Sequence, residues 1–194
     1  YVEKKQVSSE TKLWGMFSYA LAWAERNVYG VWRPLSYDQR HTINIAGNYK
    51  VNDWLELAFK WRYGTNFPYS PPEGIQPRII SVKIDTIING AHIDTTIGII
   101  QTDRNNKVVF DVIRAQGNQV NSGRLPPYHR LDIRATAYTK IWGLDWTFYL
   151  DVINVYNRKN ILNYQFFVTE NLKFEKNPTS MFPILPTLGM SVKF

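Results

Sequence analysis

Between Trp54 and Tyr63 the chain reads WLELAFKWRY, and apolar residues take every second place. Leu55, Leu57, Phe59, Trp61 and Tyr63 form one set, and Glu56, Ala58, Lys60 and Arg62 the other. Successive side chains point to opposite sides only in an extended strand, so this period of two specifies a strand with one apolar and one polar face. The period recurs along the chain. KLWGMFSYALAW sets Leu13, Gly15, Phe17, Tyr19, Leu21 and Trp23 against Trp14, Met16, Ser18, Ala20 and Ala22. RHTINIAGNYKV sets Ile43, Ile45, Gly47, Tyr49 and Val51 against Thr42, Asn44, Ala46, Asn48 and Lys50. YHRLDIRATAYTKI opposes Leu131, Ile133, Ala135, Ala137 and Ile141 to Arg130, Asp132, Arg134, Thr136 and Tyr138. DWTFYLDVINV opposes Trp146, Phe148, Leu150 and Val152 to Asp145, Thr147, Tyr149 and Asp151. The terminal PTLGMSVKF ends the series with Leu188, Met190, Val192 and Phe194.

The connections between these segments alternate in length. Residues 8–11, 51–54 and 141–144 are tight turns, and residues 25–39, 66–126 and 155–184 are long stretches. An antiparallel meander with all its tight turns at one end produces this pattern, and a transmembrane β-barrel is such a meander, with short periplasmic turns and long extracellular loops. The strands run to roughly the 9–11 residues that a tilted membrane strand requires. Trp23, Tyr49, Trp61, Tyr63 and Trp146 fall near strand ends on the apolar face, as aromatic girdles do. The expected fold is therefore all-β: about seven membrane strands of a larger antiparallel barrel. Residues 1–194 form one barrel portion, with 65–127 as a large extracellular loop. Inside that loop Asn89-Gly90 predicts a hairpin, NNKVVFDVI another short strand, and downstream NYQFFV and LKFE flank a second turn at Thr169-Glu170-Asn171. A soluble β-sandwich or lipocalin-like barrel also alternates, but it does not account for the alternating connection lengths or the terminal Phe194.

Charge and composition narrow the function classes. The net charge of +7 comes from Lys and Arg dispersed along the chain, with no basic run and no glycine-aromatic RNA-binding motif, so nucleic acid is not an expected partner. Cysteine is absent, which removes disulfides and thiolate chemistry. His41, His92 and His129 lie in separate segments without metal-ligand spacing. His129 beside Arg130 and Asp132 is the nearest approach to a hydrolase set, and a rim anchor accounts for it better. The chain is not expected to be an enzyme, nor to hold a cofactor. Glu56, Lys60, Arg62, Asp132, Arg134, Asp145 and Asp151 are expected to face the barrel lumen, because Arg or Lys on the lipid face costs about 2–4 kcal/mol at the midplane. Ligand-facing candidates occupy the outer loops: Trp32, Arg33 and Tyr37 in one, and Phe67, Tyr69, Arg78, Gln116, Asn118 and Arg124 in the largest. Asn154, Asn157 and Asn160 read as turn and rim residues.

Four stretches carry a resemblance to a known family. RLPPYHRLDIRA (residues 124–135), YDQRHTINIAGNYK (37–50), the turn entry Phe67-Pro68-Tyr69 and FYLDVINVYNRKN (148–160) resemble the C-terminal barrel strands of TonB-dependent outer-membrane receptors. The resemblance covers nearly the whole chain, less so residues 70–120. It implies a bacterial outer-membrane location and TonB-energised import of a scarce nutrient: a siderophore, haem, cobalamin, a glycan or a peptide. The terminal Leu188, Met190, Val192 and Phe194 resemble the signal read by the barrel assembly machinery. Family members carry an N-terminal plug domain, a segment that pairs with TonB and roughly twenty-two strands. The chain is thus expected to be the C-terminal third of a longer receptor. Its implied partners are outer-membrane lipid, the remaining strands and plug of the same receptor, the assembly machinery, TonB through the N-terminal part, and the nutrient. A non-transporting surface barrel, acting as an adhesin or structural protein, is the alternative, and a soluble ligand-binding β-barrel a more distant one.

Overall fold

The alternating segments become strands, and the tight turns between them are set by local chemistry. The computed structural model describes residues 1–194 apart from Ser9, Asn89, Gly90 and Phe194. In chain order the strands are β1 (Val2–Lys4), β2 (Leu13–Leu21), β3 (Glu25–Val28), β4 (Val31–Pro34), β5 (His41–Lys50), β6 (Leu55–Gly64), β7 (Pro68–Tyr69) and β8 (Gly74–Pro77). They continue with β9 (Ile79–Ile88), β10 (Ala91–Ile100), β11 (Phe110–Ile113), β12 (Gly123–Arg124), β13 (Tyr128–Ile141), β14 (Leu144–Ile153), β15 (Ile161–Val168), β16 (Phe174–Ser180) and β17 (Leu185–Lys193). The chain divides into two compact units. One holds residues 1–69, 121–163 and 178–194, and the other residues 70–120 and 164–177.

The first unit is built on one seven-stranded sheet in the order β1-β2-β5-β6-β13-β14-β17. Every pairing in it is antiparallel. The order is linear: β1 and β17 each have a single neighbour, so both sheet edges are open and no closed barrel forms among the described residues. The fold is thus all-β and antiparallel, as the alternation requires.

The register carries each apolar set onto the next. Phe17 faces Ile45, Ile45 faces Trp61, and Trp61 faces Leu131. Farther along, Leu57 faces Ala135, Ala135 faces Leu150, and Leu150 faces Leu188. The alternating apolar sets of β2, β5, β6, β13, β14 and β17 therefore share one face, since a slip of one residue anywhere would have turned a strand over, and β1 adds Val2 and Lys4 to it. Met190 and Val192 lie on that face opposite Phe148 and Trp146. Phe194 lies outside the described residues.

At the β13–β14 turn, Trp142 and Gly143 both have positive φ, 54° and 78°. That is the backbone pattern of a two-residue type I′ hairpin, whose twist matches the strands it joins. At the β5–β6 turn the Asn52 side chain accepts the backbone N–H groups of Trp54 and Leu55 at 3.1 and 2.9 Å. The long connections leave the opposite end of the sheet and carry hairpins of their own, β3–β4 and β15–β16. In the second unit β9 and β10 pair throughout, from Ile79 opposite Ile100 to Ile88 opposite Ala91. The Asn89-Gly90 turn expected there lies outside the described residues.

Burial is inverted relative to a water-soluble domain. Among the described residues the buried apolar side chains are Leu125, 5% exposed, and Pro68. The other buried side chains are polar: Asp38, Asn66, Asn154 and Asn160. Meanwhile Phe17, Tyr19, Tyr49, Leu57, Phe59, Ile133, Phe148 and Leu150 are exposed along the sheet's apolar face.

Candidate functional site

The polar face of the sheet collects the charged residues of three neighbouring strands, β6, β13 and β14. Glu56, Lys60, Arg62, Asp132, Arg134, Asp145 and Asp151 all lie on it. Arg134 and Asp151 stand directly opposite each other on β13 and β14. They join by a fork, Nε to Oδ1 at 2.6 Å and Nη2 to Oδ2 at 2.7 Å. The Arg134 guanidinium also lies 4.8 Å from the centre of the Tyr149 ring. Tyr149 in turn covers Gly189, so tightly that a Cβ at residue 189 would run into its ring. Arg130 bonds Asp132 at 2.8 Å, and the other Asp132 oxygen accepts the Asn154 N–H at 2.9 Å. Lys140 pairs with Asp145 at 3.5 Å. Lys60 makes no ion pair among the described residues, and the Arg62 guanidinium sits 5.9 Å from the centre of the Tyr128 ring. On this face Lys60 and Arg62 carry positive charge outside the ion pairs.

At the end of the sheet with the long connections, the chain is tied by polar clamps. Asp38 is fully buried, and Arg124 holds it from 86 residues away with Nη2 at 2.5 Å from Oδ2. Arg124 Nη1 also donates to the carbonyls of Asp38 and Asn66, at 2.7 and 2.9 Å. One guanidinium thus fastens three segments, with Nη1 and Nη2 both bonded inside the protein. The Asp38 carboxylate further accepts the Ala24 N–H at 2.9 Å and faces Arg40. Burial pushes its pKa up, but the Ala24 N–H and the Arg124 and Arg40 charges outweigh this and hold it below the usual carboxylate range.

The remaining loop candidates are scattered. Trp32 and Tyr37 are exposed, on β4 and in the turn after it. Arg33 sits on β4 opposite Arg26. Phe67 is exposed, and Tyr69 lies on β7 opposite Gly123. Asn154 and Asn157 adopt φ of 57° and 52°, and their side chains bond the backbone around them. Asn160 accepts the His129 N–H at 3.1 Å and donates to the His129 carbonyl at 2.9 Å. His129 bonds the Tyr156 hydroxyl through Nδ1 at 2.8 Å. His129 and Asp132, three residues apart on β13, point to opposite faces and do not form a catalytic pair. No group of three metal-ligating side chains comes together among the described residues.

The second unit contains a cleft of about 1040 Å³. One wall is the β8–β11 pair, where Arg78 grips Asp111 through Nε at 2.9 Å and Nη2 at 2.5 Å. This bond holds the Asp111 carboxyl below its ordinary range and raises Arg78. Arg114 and Gln116 follow on the same wall, and Tyr164, Phe166 and Phe167 of β15 complete the lining. Tyr164 and Phe166 are alternate residues, with ring centres 6.3 Å apart at 57°. Sequence reasoning picked out Arg78 and Gln116 but not Asp111, Arg114 or the β15 rings. The alternation in NYQFFV was the available signal. The side chain of Asn118 lies outside the described residues. No family model, curated protein or solved structure matches this chain.

Proposed function

We propose that this chain is the C-terminal part of a TonB-dependent receptor barrel in the bacterial outer membrane, importing a scarce nutrient. The observation that carries the reading is the inverted burial: an apolar face running across six neighbouring antiparallel strands, β2 to β17 in the sheet order, with buried positions held by polar clamps. Water gives such a face no partner, and lipid does. The two open edges fit a sheet that continues into further strands, since an edge in lipid would leave backbone groups unpaired. In that setting the charged face lines the lumen, where Lys60 and Arg62 meet a plug or a passing solute. The long connections form the outer loops, and β17 carries the assembly signal.

Transport separates this reading from a non-transporting adhesin barrel. The test compares growth of strains lacking this gene or lacking TonB on a panel of limiting nutrients, each a sole source. A shared defect on one nutrient, relieved by restoring the gene, is the expected result. Normal growth of the gene deletion on every nutrient for which TonB is required would overturn the transport reading in favour of the adhesin.

A further inference from the structure

We infer that the cleft of the second unit binds a neutral oligosaccharide; this deepens the receptor reading and rests on it for its setting. The first argument is charge. The seven Lys and Arg residues of that unit are matched by seven Asp and Glu, so the whole excess of +7 belongs to the first unit. A site for a strongly anionic solute would carry its own surplus. Here two lining arginines meet one carboxylate, and the Arg78–Asp111 fork leaves a surplus of a single charge, at Arg114, too small for a strongly anionic solute.

The second argument is the set of unspent polar groups. The side chains of Arg114, Gln76 and Gln116 line the cleft and make no hydrogen bond among the described residues. Together they offer guanidinium and amide donors beside amide-carbonyl acceptors, and Asp111 adds a fixed acceptor. A sugar hydroxyl donates and accepts at once, so it needs both kinds within one site. The third is the aromatic floor. Tyr164, Phe166 and Phe167 line the cleft, and aromatic rings pack on the C–H faces of a pyranose; the Lys176 ammonium lies over one face of the Tyr164 ring, 4.8 Å from its centre. The volume exceeds what a single sugar fills and suits a short chain of them. Asp111, bound to Arg78 and without a second lining carboxylate, suits binding and not glycosidic cleavage, which needs two.

The protein in detergent micelles is titrated calorimetrically with maltohexaose, cellohexaose, xylohexaose and laminarihexaose, and with oligogalacturonate as the anionic control. At least one neutral oligosaccharide should bind, and Phe166→Ala and Arg114→Gln should each weaken it about tenfold. Tyr164→Phe, which keeps the ring, should lose less than Tyr164→Ala, with the β-sheet circular dichroism unchanged throughout. Binding of oligogalacturonate alone, binding of none, or binding indifferent to Phe166 and Arg114 would each overturn the assignment. Membrane insertion is read separately, by heat-modifiable migration, so a silent cleft in an inserted barrel counts against the saccharide and not against the barrel.

Discussion

Asp38 shows how one side chain secures the end of the sheet. Its carboxylate is out of contact with water, yet it is fully partnered: a backbone N–H from Ala24, the guanidinium of Arg124 and the charge of Arg40. Removing one member of a buried pair strands the other, at about 3–5 kcal/mol, with less expected here because Arg124 keeps some water contact and two carbonyl partners. Asp38→Asn retains an acceptor for Ala24 and loses the charge. It should speed hydrogen exchange at the Ala24 amide and in residues 22–38, measured by mass spectrometry at pH 7. The pH dependence has a definite sign. Because the folded pKa is depressed, the carboxylate's contribution is complete above the unfolded value of about 4 and is lost as pH falls through the lower folded value. In the native protein, protection of the Ala24 amide, corrected for intrinsic exchange, should therefore decline below about pH 4, and Asp38→Asn should abolish that decline. A pH-independent protection in the native protein would mean that the charge is not what holds this segment. Sequence alone made Arg124 a loop arginine available to a ligand. Its partner stands 86 positions away, and no local pattern announces a contact at that distance.

At the scale of the element, six of the seven strands of the main sheet and their faces were legible because alternation is a local, repeated signal, and burial on one side fixes the register; β1, three residues long, showed no such pattern. The β15–β16 hairpin was legible too, through its turn at Thr169-Glu170-Asn171, where the Leu172 N–H meets the Thr169 carbonyl at 3.0 Å. The β3–β4 hairpin was not. Its turn is Tyr29-Gly30, and Tyr29 takes a φ of 51° that tyrosine seldom adopts, so the sequence held no turn signal. The short β8–β11 pair joins residues more than thirty apart and had none either. Glycine pairing is a subtler device. Gly15 and Gly47 stand opposite each other on β2 and β5, and a Cβ at Gly15 would press on the Ala46 carbonyl and lie 2.9 Å from the Gly47 Cα. The obstacle is backbone, which has no rotamer to escape into. Gly15→Val should force β2 from β5 and cost about 1–3 kcal/mol, read as a lower urea midpoint for unfolding in micelles. Gly143→Ala strains a φ of 78° but meets nothing within 4 Å, so it should cost about 1 kcal/mol. An unchanged midpoint for Gly15→Val would show that the two strands are not closely apposed.

For the whole molecule the deciding question is what covers the apolar face. Leu57, the third residue of β6, lies on that face between Tyr49 and Ala135, and Lys60, the sixth, lies on the other between Ala46 and Asp132. The two positions share one strand, three residues apart, so a comparison between them isolates the face from the location. If lipid lies against the apolar side, Leu57→Arg places a charge in hydrocarbon, at a cost below the about 2–4 kcal/mol of the midplane because residue 57 lies toward one end of its strand. Lys60→Ala removes a charge that has no ion-pair partner among the described residues, on a face that water reaches, and should cost under 1 kcal/mol. In cells expressing the intact gene, the folded, heat-modifiable fraction in the outer membrane should fall sharply for Leu57→Arg and stay level for Lys60→Ala. These 194 residues contain no cysteine, so within them a single introduced cysteine is the one site for a nitroxide label, which checks the same two positions. A label at residue 57 should relax faster with oxygen, which concentrates in hydrocarbon, and one at residue 60 with a water-soluble nickel chelate. Equal behaviour at both positions would mean that the exposed aromatic and aliphatic face meets protein or water and not lipid. The sheet would then be one layer of a soluble assembly, and the transport reading would lose its physical basis.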